Sequence, residues 1–219
     1  MKKRTFCKSF AGSLIMLGLN PRIVFAEEQS KVILNSVYVN NKSVTGNLAS
    51  LNNDVVETKA QQAVIKVQDD AFLIRPNSKL RFTKNRISEV ISGSVHAAFG
   101  KKSDALKIKT TYGTISIRGT VTYIEVENKF DRTYVCNCYG HTDLYNNSNQ
   151  LIKSLKSDYH SPAVMTAKGT AENSPYDVPL NHYDDHIEKL EEAANRQPRW
   201  KLPKGEKIFI SPTAVKISF

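Results

Sequence analysis

The feature that most constrains the fold is a series of short segments between residues 63 and 145 in which apolar and polar residues alternate. Residues 106–110 (Leu-Lys-Ile-Lys-Thr) alternate strictly, which is typical of a strand with one wet face. Turn signals, for example in residues 75–78 and 112–114, separate such segments at short intervals. The pattern predicts a mainly β protein: a compact β-sandwich, a barrel or a short β-solenoid.

One segment departs from simple alternation. Val121 and Tyr123 share one face, and the apolar phase then switches to Ile124 and Val126. A phase switch within one strand indicates either a β-bulge or burial on both faces of the sheet. The sequence leaves both alternatives open.

The C-terminal part contains one predicted helix, at residues 182–196, and a predicted final strand at 207–219. Asn181 is the expected cap, Asp184 follows three residues later, and Pro198 would stop the helix. The apolar face of this helix consists of Ile187, Leu190 and Ala194.

Residues 1–26 have the three parts of a secretory signal. The basic start consists of Lys2, Lys3, Arg4 and Lys8. The apolar run at 11–19 is shorter than the roughly 20 residues that span a bilayer, and Val24-Phe25-Ala26 forms the small-residue exit. We therefore expect cleavage after Ala26 and a periplasmic or other extracytoplasmic location. An uncleaved anchor or a short buried helix is the alternative, and the Lys3-Arg4 pair leaves the Sec and twin-arginine routes open.

Cleavage changes the charge of the chain. The formal net charge falls from +10 to +5, because five of the 31 basic residues and none of the 21 acidic residues lie in residues 1–26. No dense basic patch interleaved with aromatics follows, so nucleic-acid binding is disfavoured. No second long apolar stretch predicts a transmembrane segment in the mature chain. We expect an extended lead-in at 27–54, a β domain at 55–145 and a C-terminal extension at 146–219.

Four short motifs, in order along the chain, resemble those of FecR domains. They are Ile-Arg-Pro-Asn-Ser at 74–78, Ile-Ser-Gly-Ser-Val at 91–95, Lys-Thr-Thr-Tyr-Gly at 109–113 and Ile-Arg-Gly-Thr at 117–120. The last motif is the most specific. The chain also resembles small exported FecR-domain proteins that carry a Cys-x-Cys-Tyr-Gly strand (here 136–140), a His-containing loop (159–162) and an Asn-His-x-Asp helix start (181–185).

The resemblance implies an extracytoplasmic β module that senses the state of a partner in the cell envelope. FecR proteins proper also control a sigma factor through a cytoplasmic segment that precedes a spanning helix. Only ten residues precede the apolar run here, so sigma-factor control is not carried over. We expect a non-enzymatic binding or signalling module with an envelope protein as partner.

Arg118, Gly119 and Thr120 form a candidate binding or structural motif. Gly119 would allow a close backbone approach or a bulge. Arg118 has five donors, so it would either bind a partner or lock a strand corner by bonding to backbone carbonyls.

Cys136, Cys138, His160 and His182 are candidate metal ligands. Two cysteines that lie two apart in a strand point to the same face. Their Cα atoms would be roughly 6.5 Å apart, near the upper limit for a disulfide. Two thiolates and two imidazoles suit tetrahedral zinc, and thiolates also suit copper(I). His186 could replace one histidine, and a disulfide or a pair of merely buried cysteines is the alternative.

The chain lacks the common catalytic motifs: Gly-x-Ser-x-Gly, His-Glu-x-x-His and a phosphate-binding Gly loop. A Cys-His hydrolase is left open, because its residues would meet only in the folded chain. The sequence thus predicts a non-enzymatic module, with a metal- or cofactor-binding envelope protein as the alternative function.

Overall fold

The computed structural model describes residues 30–100 and 105–197. The predicted signal peptide at 1–26, the helix stop at Pro198 and the final strand at 207–219 lie outside the described residues. Within these ranges the chain is mainly β and carries one C-terminal helix, which confirms the predicted fold class.

The described residues form fifteen strands, a single turn of 3-10 helix and one α-helix. The strands are β1 (Lys31–Leu34), β2 (Val37–Val39), β3 (Lys42–Val44), β4 (Asp54–Glu57), β5 (Ala63–Val67), β6 (Asp70–Ile74), β7 (Lys79–Thr83), β8 (Arg86–Ala98), β9 (Leu106–Thr110), β10 (Gly113–Ile117), β11 (Val121–Glu127), β12 (Arg132–Tyr145), β13 (Leu151–Ser157), β14 (Ser161–Thr166) and β15 (Ala171–Asn173). The 3-10 turn is Asn128–Phe130, and α1 is Asp184–Ala193.

The fifteen strands form two sheets, and the two long strands β8 and β12 belong to both of them. Sheet I has the order β1-β5-β6-β8-β11-β12-β14-β15. Sheet II has the order β3-β2-β4-β7-β8-β9-β10-β12-β13. Neighbouring strands are antiparallel except β8 and β9. Because β8 and β12 each continue from one sheet into the other, they connect the two sheets.

The main apolar core lies between the two sheets. Sheet I contributes alternate residues such as Ile65, Phe72 and Ile124, and sheet II contributes residues such as Phe82 and Ile115. All of these side chains are fully buried. Two sheets that face one another across one core form the sandwich alternative of the predicted fold.

The opposite face of sheet I is also covered, by the residues that follow β15. We call residues 174–197 the C-terminal segment. Its helix α1 buries Ile187 and Leu190 against sheet residues that include Leu73, Tyr123 and Tyr134. Sheet I is thus buried on both faces, which explains the apolar phase switch in β11: Tyr123 faces the C-terminal segment, and Ile124 faces the main core. A β-bulge between Val121 and Thr122 accompanies it.

The helix was predicted correctly, but its cap was not. Tyr183, with extended backbone angles, is the N-cap, and its backbone N–H donates to His186 Nδ1. Asn181 lies two residues earlier and donates instead to Glu125 Oε2 on β11. The side chain of Asn181 therefore ties the C-terminal segment to the sheet and does not cap the helix.

The strands extend beyond the limits expected for the β domain at 55 and 145. β1, β2 and β3 lie in the expected lead-in and pair into the sheets, and β13 to β15 lie in the expected C-terminal extension. Among residues 30–100 and 105–197, no helix has the length and apolar character needed to cross a membrane.

Candidate metal centre

Strand β12 presents Cys136 and Cys138 on the face of sheet I that the C-terminal segment covers. Val135 points into the main core, while both cysteines belong to the cluster under α1. This arrangement follows from the two-residue repeat of a strand. Both thiols are free and fully buried. The alternative of a Cys136–Cys138 disulfide is therefore not present in this structure.

His160 reaches the cysteines from the connection between β13 and β14. Its backbone N–H donates to the carbonyl oxygen of Cys138 at 2.8 Å, which holds the connection against β12. Its Nδ1 then lies 3.4 Å from Cys136 Sγ. The backbone of His160 has φ = 28°, a value that is uncommon for a residue with a side chain. In this backbone conformation the imidazole of His160 lies beside the thiol of Cys136.

His182 comes from the C-terminal segment, just before α1. Its ring stacks on Tyr123, with centroids 4.8 Å apart and planes 15° from parallel. Its Nε2 lies 3.2 Å from His160 Nδ1. The sheet, the β13–β14 connection and the C-terminal segment therefore each supply donors to one point.

The four donor atoms of Cys136, Cys138, His160 and His182 all lie within 4.8 Å of one another. A tetrahedral zinc ion with Zn–N of about 2.0–2.1 Å and Zn–S of about 2.3 Å would place its two nitrogens about 3.3 Å apart and a sulfur–nitrogen pair about 3.6 Å apart. The 3.2 Å between the two imidazole nitrogens and the 3.4 Å from Cys136 Sγ to His160 Nδ1 are close to these values. These two distances therefore fit a single four-coordinate ion, and the widest donor–donor separation, up to 4.8 Å, would have to shorten on binding.

The outer nitrogens of both histidines have acceptor partners, which fixes their protons. His182 Nδ1 lies 2.6 Å from the carbonyl oxygen of Leu180, which can only accept, so Nδ1 carries the hydrogen and Nε2 has a free lone pair. His160 Nε2 likewise donates to Asp184 Oδ1 at 3.1 Å. A metal-ligating histidine typically donates its other N–H to a carbonyl or a carboxylate in this way.

The electrostatics of the cluster separate the two thiols. Burial by itself raises the pKa of Cys136, but the hydrogen bond from Cys138 and the two nearby imidazoles outweigh it, so that pKa lies well below its ordinary value. Burial and then the Cys136 sulfur raise the pKa of Cys138 well above its ordinary value. Burial lowers the pKa of His160, yet its bonds to Asp184 and Cys136 raise it to about 9. Cys136 is therefore the more acidic of the two thiols.

Asp184 is a further residue of the candidate site that the sequence identified only as part of the helix start. Its carboxylate accepts from His160 Nε2 and, at 2.9 Å, from the hydroxyl of Tyr159. It therefore orients His160 from outside the set of four candidate ligands. The sequence does not indicate this contact. Tyr159 and His160 lie on the β13–β14 connection and Asp184 lies in the first turn of α1, and these two elements meet only in the folded chain.

We expect Asp184→Asn to weaken metal affinity about 10- to 100-fold, the usual effect of losing a partner of a metal-bound histidine. The matched control is Asp185→Asn, which removes the same charge from the next residue, whose carboxylate is largely exposed. Competition titration with a chromophoric chelator measures both variants. Equal affinities for the two variants would contradict the role of Asp184.

His96 on β8 is a second residue that the sequence did not single out. It is fully buried, and its Nε2 lies 3.6 Å from Cys138 Sγ. Its Nδ1 has no hydrogen-bond partner within the described ranges. His96 can therefore donate an N–H to the sulfur of Cys138. The only sequence signal for it was a histidine within an apolar strand, between Val95 and Ala97, which is also common in ordinary cores.

His186, considered as a substitute ligand, does not belong to the four-donor cluster. Its Nδ1 accepts from the Tyr183 backbone, and its ring packs on that of Tyr183. Burial, followed by the positive charge of Arg75, lowers the pKa of His186 to about 3. His186 therefore stabilises the start of α1 by accepting a hydrogen bond from the Tyr183 backbone.

The Arg118-Gly119-Thr120 motif lies on the connection between β10 and β11. Gly119 has φ = 61°, and the buried hydroxyl of Thr120 donates to Asn137 Oδ1 at 3.0 Å. Arg118 is exposed, and its side chain makes no hydrogen bond to residues in the described part of the chain. The structure therefore does not match the interpretation in which Arg118 fixes a strand corner through hydrogen bonds to backbone carbonyl oxygens. Binding of a partner by Arg118 stays a prediction.

No protein-family model and no curated protein matches the sequence. Two crystal structures of a candidate anti-sigma factor from Parabacteroides distasonis are similar to part of the chain. The 1.65 Å structure shares 8% identity with a TM-score of 0.44, over 58% of this chain and 59% of that chain. The 2.50 Å structure shares 9% identity with a TM-score of 0.43, over 57% and 58%. The chain thus spans less than two thirds of these proteins, and similarity at this level assigns it no function.

Proposed function

We propose that this protein is an exported, non-enzymatic β module that binds one transition-metal ion through Cys136, Cys138, His160 and His182. The observation that carries the proposal is the convergence of two buried sulfurs and two imidazole nitrogens, from three separate parts of the fold, within 4.8 Å. The fixed protons on the outer nitrogens of both histidines add to it, because they leave the inner nitrogens free to coordinate.

Zinc is the ion that this set of donors favours. Two thiolates and two neutral imidazoles around a divalent ion give an uncharged centre, whereas copper(I) would leave one net negative charge in a fully buried position. Burying an unpaired charge is costly. The four protein donors also complete a tetrahedron, which is typical of zinc sites with a structural role.

The same residues offer a second chemistry that the structure favours less. Cys136, His160 and Asp184 stand in the order of a nucleophile, a base and an orienting carboxylate. Cys136 is fully buried, however, and a substrate would have to reach it. Cys138 and His182, which a thiol nucleophile does not require, converge on the same point.

The experiment is elemental analysis of the mature protein, purified under reducing conditions and then titrated separately with zinc(II) and copper(I). We expect one zinc per chain and protection of both thiols from iodoacetamide when zinc is bound. Protein that takes up neither ion, with one thiol that is alkylated unusually fast, would instead support the nucleophile.

We further propose that the module works in the periplasm or another extracytoplasmic space, as a FecR-like binding or signalling domain with a protein partner. The signal-like residues 1–26 support this proposal, and so do the four FecR-like motifs, which follow one another along the chain in the order seen in FecR domains. The exposed Arg118 is the candidate contact with the partner.

Export should remove residues 1–26, so the intact mass of protein from the envelope fraction should correspond to a chain that begins at Glu27. The matched control is Ala26→Leu, because a bulky residue at the exit should block the peptidase and leave the longer chain. A wild-type mass that still includes Met1 to Ala26 would show that cleavage does not occur.

A further inference from the structure

The metal centre joins the C-terminal segment to the sheet. Two of its ligands belong to β12 and a third to the β13–β14 connection, whose backbone is bonded to β12. Only His182 belongs to the C-terminal segment. Asp184 adds a second link from the same segment through its bond to His160. The centre is thus placed where a single ion would tie two layers of the fold together.

The other attachments of the C-terminal segment are the apolar contacts under α1 and a series of hydrogen bonds to the sheet and its loops. Its helix has ten residues and buries two large apolar side chains, Ile187 and Leu190. Isolated helices shorter than about 12–15 residues are marginal in water, so α1 depends on docking for its stability. Polar contacts come from the Leu180 backbone to the Tyr134 hydroxyl, from Tyr176 to Glu127 and Arg132, from Asn181 to Glu125, from Glu191 to the Tyr139 hydroxyl and from Arg196 to the Asp69 carbonyl. None of these contacts involves the four candidate ligands, so a bound ion would add a separate link.

The sheets, in contrast, are held by their own contacts. Every strand from β5 to β12 pairs with at least two neighbours, and the main core contains no residue of the C-terminal segment. Loss of the helix would therefore leave the sandwich core in place and uncover the second apolar cluster, which includes Leu73, Val121 and Tyr134.

We propose that the metal centre is a latch, in which the bound ion holds the C-terminal segment on sheet I and loss of the ion releases it. This inference rests on the proposed metal binding and adds its regulatory consequence. Without an ion, the inner nitrogen of His182 keeps only a hydrogen bond to His160 at 3.2 Å in place of a coordinate bond. Release would convert metal occupancy into a change in the surface of the sheet, which is a signal that another protein can read.

Hydrogen exchange followed by mass spectrometry on the reduced mature protein, with zinc and after chelation, tests the latch. We expect amides of residues 180–194 to lose at least about tenfold in protection after chelation, while strands β5, β6, β8 and β11 stay protected for hours. Trypsin should also cut faster after Lys189 in the chelated protein. Equal protection of 180–194 with and without stoichiometric zinc would overturn the latch and leave metal binding intact.

The variant His182→Ala separates the latch from the centre. At saturating zinc, the three other ligands still hold the ion, but the direct link to the C-terminal segment is gone. We expect bound zinc together with fast exchange at 180–194, and the control His141→Ala, a half-buried histidine on β12 outside the cluster, to exchange like wild type. Wild-type protection in the His182 variant, or loss of protection through both sheets on chelation, would overturn the proposal. Absence of any metal binding would instead remove the proposed function on which the latch rests.

Discussion

Replacing Cys136 by serine is expected to lower zinc affinity by about 100- to 1,000-fold. Structural zinc sites contribute roughly 10–16 kcal/mol of binding free energy, so one of four ligands accounts for about 3–4 kcal/mol. Each 1.4 kcal/mol corresponds to a tenfold change in affinity. Serine nearly preserves the volume of the side chain, so the surrounding sheet should keep its packing. Competition titration measures the affinity, and Cys138→Ser should behave alike.

The matched control is Ser94→Ala, a small substitution on strand β8, which β11 separates from β12, and outside the four-donor cluster. It should retain wild-type affinity. A Cys136→Ser protein that still binds one zinc ion with unchanged affinity would show that this sulfur is not a ligand. Retention of binding in the double cysteine variant would contradict the whole centre.

Removing the metal should lower the thermal unfolding midpoint of the mature protein by about 8–16 °C. An ion present at 1,000 times its dissociation constant stabilises the native state by about 4 kcal/mol. For a domain of about 150–250 residues, each kcal/mol shifts the midpoint by about 2–4 °C. Scanning calorimetry under reducing conditions, with zinc or with a chelator, measures the shift.

The double Cys136→Ser, Cys138→Ser variant is the control for this measurement, since a chelator should not change the midpoint of a protein that no longer holds the ion. A wild-type protein whose zinc is removed completely while its midpoint stays constant would contradict the stabilising role. That outcome would also weaken the latch, because the ion would then have no preference for the docked segment.

The β class of this protein could be predicted because a strand buries alternate residues, and this period of two is written in the local sequence. The same local rule placed Cys136 and Cys138 on one face of a strand, and the 3.6-residue period predicted α1 from Ile187, Leu190 and Ala194. Each of these features depends on residues that are near one another in the chain. The four proposed ligands could be selected from the sequence by their chemistry alone.

Only the tertiary structure decided which faces and which distant residues meet. The phase switch in β11 allowed a bulge or burial on both faces. The structure shows burial on both faces, because α1 covers the second face of sheet I, and a separate bulge at Val121 and Thr122. The cap of α1 was predicted incorrectly, since Asn181 finds Glu125 on a strand more than 50 residues earlier.

The centre itself depends on contacts that no local pattern encodes. His96 lies 42 residues before Cys138, and His160 lies 24 residues before Asp184, yet each pair is in contact. Strand pairing brings His96 beside β12 through β11, and docking of α1 brings Asp184 to His160. The sequence alone determined the β class, the common face of the two thiols and the helix. The register of the sheets and the docking of the C-terminal segment decided that four separated donors share one point, because side chains from different elements meet only when long-range packing fixes those elements against each other.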